Sequence, residues 1–266
     1  RIAARTHTTP SHSSTSNESL RSHTRQSSSI PPTPTPNSQN PPARGRPRLP
    51  RSAMPYDTAS ALFDHPTVAE CYADVTAPGS FVSQMANNTL PVANFKAFLA
   101  HDAHYLFNYN RAYAAALVKS PDVKHQTIFH GLIGGTLDEI KHVEGACARW
   151  GAVRGAVHPA AQAYIDFLEG LHPAAVPLEE LIAGMTPCMR LYTNLGRDYV
   201  KRGLVVQGCA YQEWFDAYAG EEMESLTRNL EALLPAPKDG GGLSSKVEAN
   251  YVRAMELERD FFAAFA

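Results

Sequence analysis

From residue 54 onward the chain alternates long apolar-periodic stretches with short clusters of Pro and Gly. Within 95–117, Phe95, Phe98, Leu99, Asp102, Leu106, Tyr109 and Tyr113 recur at three- and four-residue steps and so share one helical face. Breaks fall near Ala77-Pro78-Gly79, Ser120-Pro121, Val157-His158-Pro159, His172-Pro173, Thr186-Pro187, Lys201-Arg202-Gly203, Leu234-Pro235 and Gly240-Gly241-Gly242. Runs of alternating β-branched residues are absent. The pattern therefore predicts an all-α body over 54–266, a single domain of roughly seven to nine helices packed side by side.

Composition separates this body from what precedes it. Residues 1–53 hold 9 Pro, 11 Ser and 8 Arg against one acid, Glu18, and no Lys, so the segment is +7 and the near-neutral total of −2 conceals a body at −9. A tail such as Ser27-Ser28-Ser29-Ile30-Pro31-Pro32 buries too little apolar surface to offset chain entropy and is expected to be disordered. Three readings of it stay open beside that of a solvated basic linker. Arg-rich, acid-poor composition suits a mitochondrial transit peptide, although the Pro density opposes the helix such peptides form. Arg44-Gly45-Arg46-Pro47-Arg48 resembles an AT-hook core, whose arginines enter the narrow minor groove of A·T-rich DNA. Met54, at the composition break, could be the natural start.

No apolar run approaches the ~20 residues of a membrane span, and no signal-peptide apolar core is seen, so a soluble protein of the cytoplasm is expected, or of the mitochondrion if the tail is a transit peptide. Cys71, Cys147, Cys188 and Cys209 are too scattered for a disulfide scaffold, and reduced thiols are the default.

Candidate chemistry lies on polar residues inside apolar stripes. In Thr186-Pro187-Cys188-Met189-Arg190-Leu191-Tyr192, Thr186 is read as a helix cap and Pro187 as its first turn, which would put Cys188 where the helix dipole favours a thiolate, with Tyr192 four residues on along the same face. The competing reading is a buried structural cysteine. Tyr211, Trp214, Phe215 and Tyr218 form an aromatic stripe of the kind more often found in a core than in a binding site, although a flat heteroaromatic ligand would use both the faces and the hydroxyls of its two phenols. Asp102 and Tyr105 share an apolar face, where a carboxylate costs several kcal/mol unless it is paired or hydrogen-bonded. Glu258, before Phe261 and Phe262, repeats that pattern; a desolvated carboxyl there would have a raised pKa and could act as general acid and base. Glu139-Ile140-Lys141-His142 is a Glu-x-x-His of the di-iron type, but the body lacks the second copy such sites need. His101, His104 and His142 could make an irregular metal site only by chance pairing among eleven histidines, so no metal is expected.

Asp102-x-x-Tyr105, Pro187-Cys188-x-x-x-Tyr192, Tyr211-x-x-Trp214-Phe215-x-x-Tyr218 and Glu258-x-x-Phe261-Phe262, in that order, resemble the TenA-type thiaminase II (aminopyrimidine aminohydrolase) family from about Phe81 to the C-terminus. The resemblance implies a haem-oxygenase-like helical fold, no haem, metal or other cofactor, and a homotetramer. It implies hydrolysis of an aminomethyl-pyrimidine to hydroxymethyl-pyrimidine and ammonia, or of thiamin itself. Cys188 would add to the pyrimidine ring, Glu258 would carry protons to the leaving amine and from water, and Asp102 would hold the ring nitrogen and exocyclic amine. Tyr105, Tyr192, Tyr211 and Tyr164 would line the pocket. Two departures stand out: Ser80-Phe81-Val82-Ser83 where members often carry His-Pro-Phe, and Phe261-Phe262 in place of Phe-Trp. Two other classes compete with this reading. One is a silent ligand-binding or regulatory module tethered to DNA through the basic tail, and the other a metal-dependent oxygenase on the same fold.

Overall fold

Several breaks in the apolar pattern act through a specific piece of backbone chemistry. Pro121 biases the preceding residue away from helix, and Ser120, with ψ 128°, ends the helix Val92–Lys119 there. Asp122 then caps the next helix by accepting from the His125 N–H at 2.9 Å, and Gly151, at φ +66°, closes it in the left-handed region. His65 and His158 play the capping role with Nδ1, accepting from Thr67 and Ala160 N–H, each followed by a proline whose missing N–H is harmless at the first helical position.

The computed structural model describes residues 58–234 and 242–266. The readings of segment 1–53, of Met54 as a start and of Gly240-Gly241 fall outside these residues. Among them run a short α1 (Ala59–Leu62), α2 (Pro66–Thr76), α3 (Phe81–Ala86), α4 (Val92–Lys119), α5 (Val123–Trp150), α6 (Pro159–Gly170), α7 (Leu178–Lys201), α8 (Gln212–Ala219), α9 (Glu221–Glu231) and α10 (Ser245–Ala263), with no strand. The expected all-α class is found, and none of the described helices is long and apolar enough to cross a membrane.

Two long helices, α4 and α5, pair along their length, and α7 lies at the centre, against α4, α6, α8, α9 and α10. One apolar core runs through all of them and is strongly aromatic. Phe98 is fully buried and meets Phe81 at 4.7 Å, Phe261 at 5.4 Å and Phe262 at 5.7 Å, which ties α3, α4 and α10 together. Each such ring contributes about 1.5–3 kcal/mol by leaving water.

The central helix also carries an ionic clamp. Arg190 donates to both carboxylate oxygens of Glu231 at 2.7 and 2.6 Å and to Glu224 at 3.1 Å, and Arg228 completes the set on Glu224 at 2.6 Å. A guanidinium fork and two nearly buried carboxylates thus fix α9 on α7.

One expected boundary is corrected. α7 does not begin at Thr186; it runs straight through Pro187 from Leu178. The proline forfeits the bond its N–H would make to the Ala183 carbonyl, normally a cost of ~3 kcal/mol. Residues 181–189 are buried without exception, so packing on every side outweighs the local penalty.

Candidate active site

The inner face of α4 sets Asp102, Tyr105, Tyr109 and Tyr113 in a row, all buried. The row is stitched to α7. Tyr109 donates its hydroxyl to the Met185 carbonyl at 2.8 Å, and the Tyr113 hydroxyl lies 3.1 Å from that of Tyr109 and 3.0 Å from the Met189 sulfur. Met185 and Met189 bracket Cys188, so these phenols hold the helix turns on either side of the thiol.

Cys188 is fully buried in the middle of α7, not near its start. The expectation of thiolate stabilisation by a helix N-terminus therefore fails, because that field fades within the first turn. Thr186, read as a cap, instead donates its hydroxyl to the Ile182 carbonyl at 2.8 Å. What surrounds the thiol comes from other helices. Burial first, and then Cys188, Tyr164, Glu258 and Tyr109 around it, hold the Tyr105 hydroxyl well above the ordinary tyrosine pKa. Tyr109 is raised in the same way, by burial and then by Tyr113, Cys188 and Tyr164. Tyr105 of α4 thus has buried neighbours on α6, α7 and α10. The Tyr105 and Tyr164 rings meet at 4.7 Å, and Phe261 of α10 stands 6.5 Å from Tyr105.

Outside this inner cluster lies a cleft between α4, α5 and α8. Asp102, only 3 % exposed, reaches its wall from one side and Glu139, 2 % exposed, from the other. Phe95, Trp150 and Tyr211 form an aromatic wall: Trp150 stacks on Tyr211 at 5.7 Å with planes 11° apart, and Phe95 meets Tyr211 at 4.7 Å. Tyr218 and Trp214 form the third side, and both touch the Tyr192 ring, at 5.1 and 5.6 Å. Tyr192 therefore separates the cleft from the interior one turn beyond Cys188.

Residues 65–265 match the model of the TENA/THI-4/PQQC family. The chain belongs to that family. An aminopyrimidine aminohydrolase of Halalkalibacterium halodurans is 27% identical to it over 192 residues, covering 68% of this chain and 84% of that one. The bifunctional TH2 protein, mitochondrial, of Arabidopsis thaliana is 25% identical over 218 residues, 73% of this chain but only 35% of that longer protein. Among solved structures, a TenA family transcription regulator from Silicibacter sp. TM1040 superposes with a TM-score of 0.69 at 21% identity, covering 80% of this chain and 98% of that one, which shows a shared fold.

In this TENA/THI-4/PQQC protein the residues singled out from sequence divide into two groups. Cys188, Glu258, Tyr105, Tyr164 and Tyr192 are buried in the interior, and Asp102 and Tyr211 line the cleft. Tyr211 spends its hydroxyl on the Leu90 carbonyl at 2.8 Å, so it offers the cleft a ring face and not a hydroxyl. The phenol next to the opposite carboxylate is Tyr218, which donates to Glu139 at 3.4 Å. Glu139, unlike Tyr218, carries no pocket role in the sequence reading. Glu139 falls between Thr136 and Val143 on the buried face of α5, a signal obscured by its fit to a Glu-x-x-His motif. His142 of that motif turns to Glu213 at the rim, 3.6 Å away. His101 packs with His104, His158 and Phe265. Among the described residues no group of three or more His, Cys, Asp or Glu is disposed to hold a metal ion. Chemically, the arrangement combines a thiol, a carboxyl and several phenols in a buried interior beside a cleft with flat aromatic walls.

Proposed function

We propose that the protein is a hydrolase of thiamin pyrimidine salvage, cleaving an aminomethyl-pyrimidine to the hydroxymethyl-pyrimidine and ammonia. The observation that carries this reading is that Tyr105 has Cys188, Tyr164 and Glu258 among its buried neighbours, beside a cleft walled by Asp102. The 27% identity to an aminopyrimidine aminohydrolase supports the same substrate class.

A pyrimidine fits this chemistry because its electron-poor ring accepts a soft nucleophile. Asp102 accepts hydrogen bonds from the ring's amine, while Tyr105, Tyr164 and Tyr192 supply ring faces and hydroxyls. With no helix N-terminus near the thiol, its proton passes to a side chain, and Glu258 is the carboxylate in the cluster. The Cys188 sulfur adds to the ring, forming a C–S bond. Glu258 then gives its proton to the exocyclic amine, the C–N bond breaks and ammonia departs, leaving an exocyclic methylene. Water adds to that methylene as Glu258 takes up its proton. The C–S bond breaks, and the thiolate recovers the proton from Glu258. One water enters and one ammonia leaves.

The test is ammonia release from amino-aminomethyl-methylpyrimidine by the purified chain. Cys188→Ala should lower kcat by at least about 10³-fold, and Glu258→Gln should retain binding while losing turnover, since it keeps shape without the proton. No ammonia from the wild type, or undiminished rates in Cys188→Ala, would overturn the assignment.

A further inference from the structure

Lys119, the last residue of α4, takes no part in the chemistry above, yet each proton of its ammonium has an acceptor. Nζ donates to the main-chain carbonyls of Leu171 at 2.9 Å, Pro173 at 2.8 Å and Val176 at 2.7 Å, all between α6 and α7. The sequence there explains why these carbonyls take an outside donor. Leu171 caps the end of α6, where the last carbonyls have no partner within the helix. Pro173 and Pro177 bring no N–H, and each biases the residue before it away from helix. Of the donors that remain, the His172 N–H returns to Glu169 at 3.1 Å and the Val176 N–H closes a turn on the Pro173 carbonyl at 2.9 Å.

The three acceptors are carbonyls, not carboxylates, and they converge on one point. A neutral amine has two N–H groups for three acceptors, so the set selects the charged form. Rings of backbone carbonyls replace the hydration shell of potassium in the same way, and ammonium and potassium are close in size. Glu180, in the first turns of α7, adds favourable charge from outside the carbonyl set, against the burial that lowers the Lys119 pKa.

We propose that the carbonyls of Leu171, Pro173 and Val176 form a monovalent-cation site whose resident cation is the tethered ammonium of Lys119. The site joins the end of α4, the end of α6 and the approach to α7, the helices that carry Asp102 and Tyr105, Tyr164, and Cys188. An occupant attached to the chain does not dissociate, so the junction holds without drawing potassium or ammonium from solution. Emptied of Lys119, the same carbonyls take up a free cation. The junction has this role whatever reaction the cleft supports.

Two variants of the full chain separate a cation site from a merely structural lysine. Lys119→Ala empties the cage, whereas Lys119→Met keeps the stem in it without the charge. Each is melted beside the wild type in potassium, ammonium, propylammonium and tetramethylammonium chloride at equal ionic strength, and its Tm is read against the wild type in the same salt. In tetramethylammonium, which is bulky and has no N–H, Lys119→Ala should melt about 4–10 °C below the wild type. About half or more of that deficit should disappear in the other three salts at ~0.2 M, because each supplies a cation that fits the carbonyls. Lys119→Met should show a similar deficit in all four. A Lys119→Ala deficit under about 1 °C, or one equal in every salt, overturns the site. Equal recovery by Lys119→Met overturns it as well, since that cage is already filled. The wild type gives a reading that needs no variant to fold: acetic anhydride should modify Lys119 about tenfold more slowly than the exposed Lys124, and equal rates would show that the ammonium is not held.

Discussion

Gly196 decides how closely α8, and with it one wall of the cleft, approaches α7. A Cβ at this position would stand 2.6 Å from the Tyr218 carbonyl carbon, 2.7 Å from the Tyr218 Cβ and 2.8 Å from the Ala219 nitrogen. Ordinary contact begins at 3.4 Å, so Gly196→Ala forces α8 back by roughly 0.6–0.8 Å. Two effects compete. Alanine in a helix interior is favoured over glycine by ~1 kcal/mol, whereas overpacking costs ~1–3 kcal/mol, here at the upper end because backbone atoms cannot rotate away. The net expectation is a loss of about 2 kcal/mol, or a drop of about 4–8 °C in Tm for a body of this size. Gly184 in the same helix provides the contrast. Its added Cβ would meet Leu171 Cδ1 at 2.7 Å and Phe167 Cε1 at 3.2 Å, both at the far ends of side chains that can turn aside. Gly184→Ala should therefore melt at or slightly above the wild type. Thermal unfolding of the three proteins, followed by far-UV circular dichroism, gives the order, and pyrimidine binding should weaken in Gly196→Ala because Tyr218 and Trp214 retreat from Tyr192. A Gly196→Ala protein that melts at or above the wild type would refute the close-approach argument.

Two further expectations concern stability. His101 accepts a hydrogen bond from the His158 N–H at 3.2 Å, and burial first, then His158 and His104, pulls its pKa below the ordinary 6.5. Below pH ~6.5 the unfolded chain takes up a proton that the folded chain refuses, so this group's contribution is intact above 6.5 and is lost as the pH falls through its folded value. His101→Asn, which keeps an acceptor, should flatten the fall in urea midpoint between pH 7.5 and 5; an unchanged slope would exclude His101 as the cause. Arg190→Leu leaves Glu224 and Glu231 nearly buried with their shared guanidinium removed, and should cost about 3–5 kcal/mol, or roughly 6–20 °C. A shift of under about 2 °C in calorimetry would show that the clamp contributes little.

Local chemistry made much of this molecule readable in advance. Helix ends are determined by residues within a turn of them, so Pro121 and the His158-Pro159 pair marked boundaries that the fold keeps. The inner face of α4 was equally legible, because a 3.6-residue period assigns Asp102, Tyr105 and Tyr109 to one side whatever they pack against. Pro187 shows the limit. Its local preference argues for a helix start, and only burial of the whole surrounding turn, supplied by neighbouring helices, carries α7 through it.

The same limit governs the site. Sequence by itself determined the helical class, the chemical types available and their order along the chain, because periodicity and capping act over a few residues. Tertiary structure decided that Tyr211 turns its hydroxyl to Leu90 while Tyr218 meets Glu139, that Glu139 lines a cleft, and that Tyr105 of α4 has Tyr164 of α6, Cys188 of α7 and Glu258 of α10 among its buried neighbours. Those outcomes depend on which helix faces which, a choice made by close packing among residues far apart in the chain.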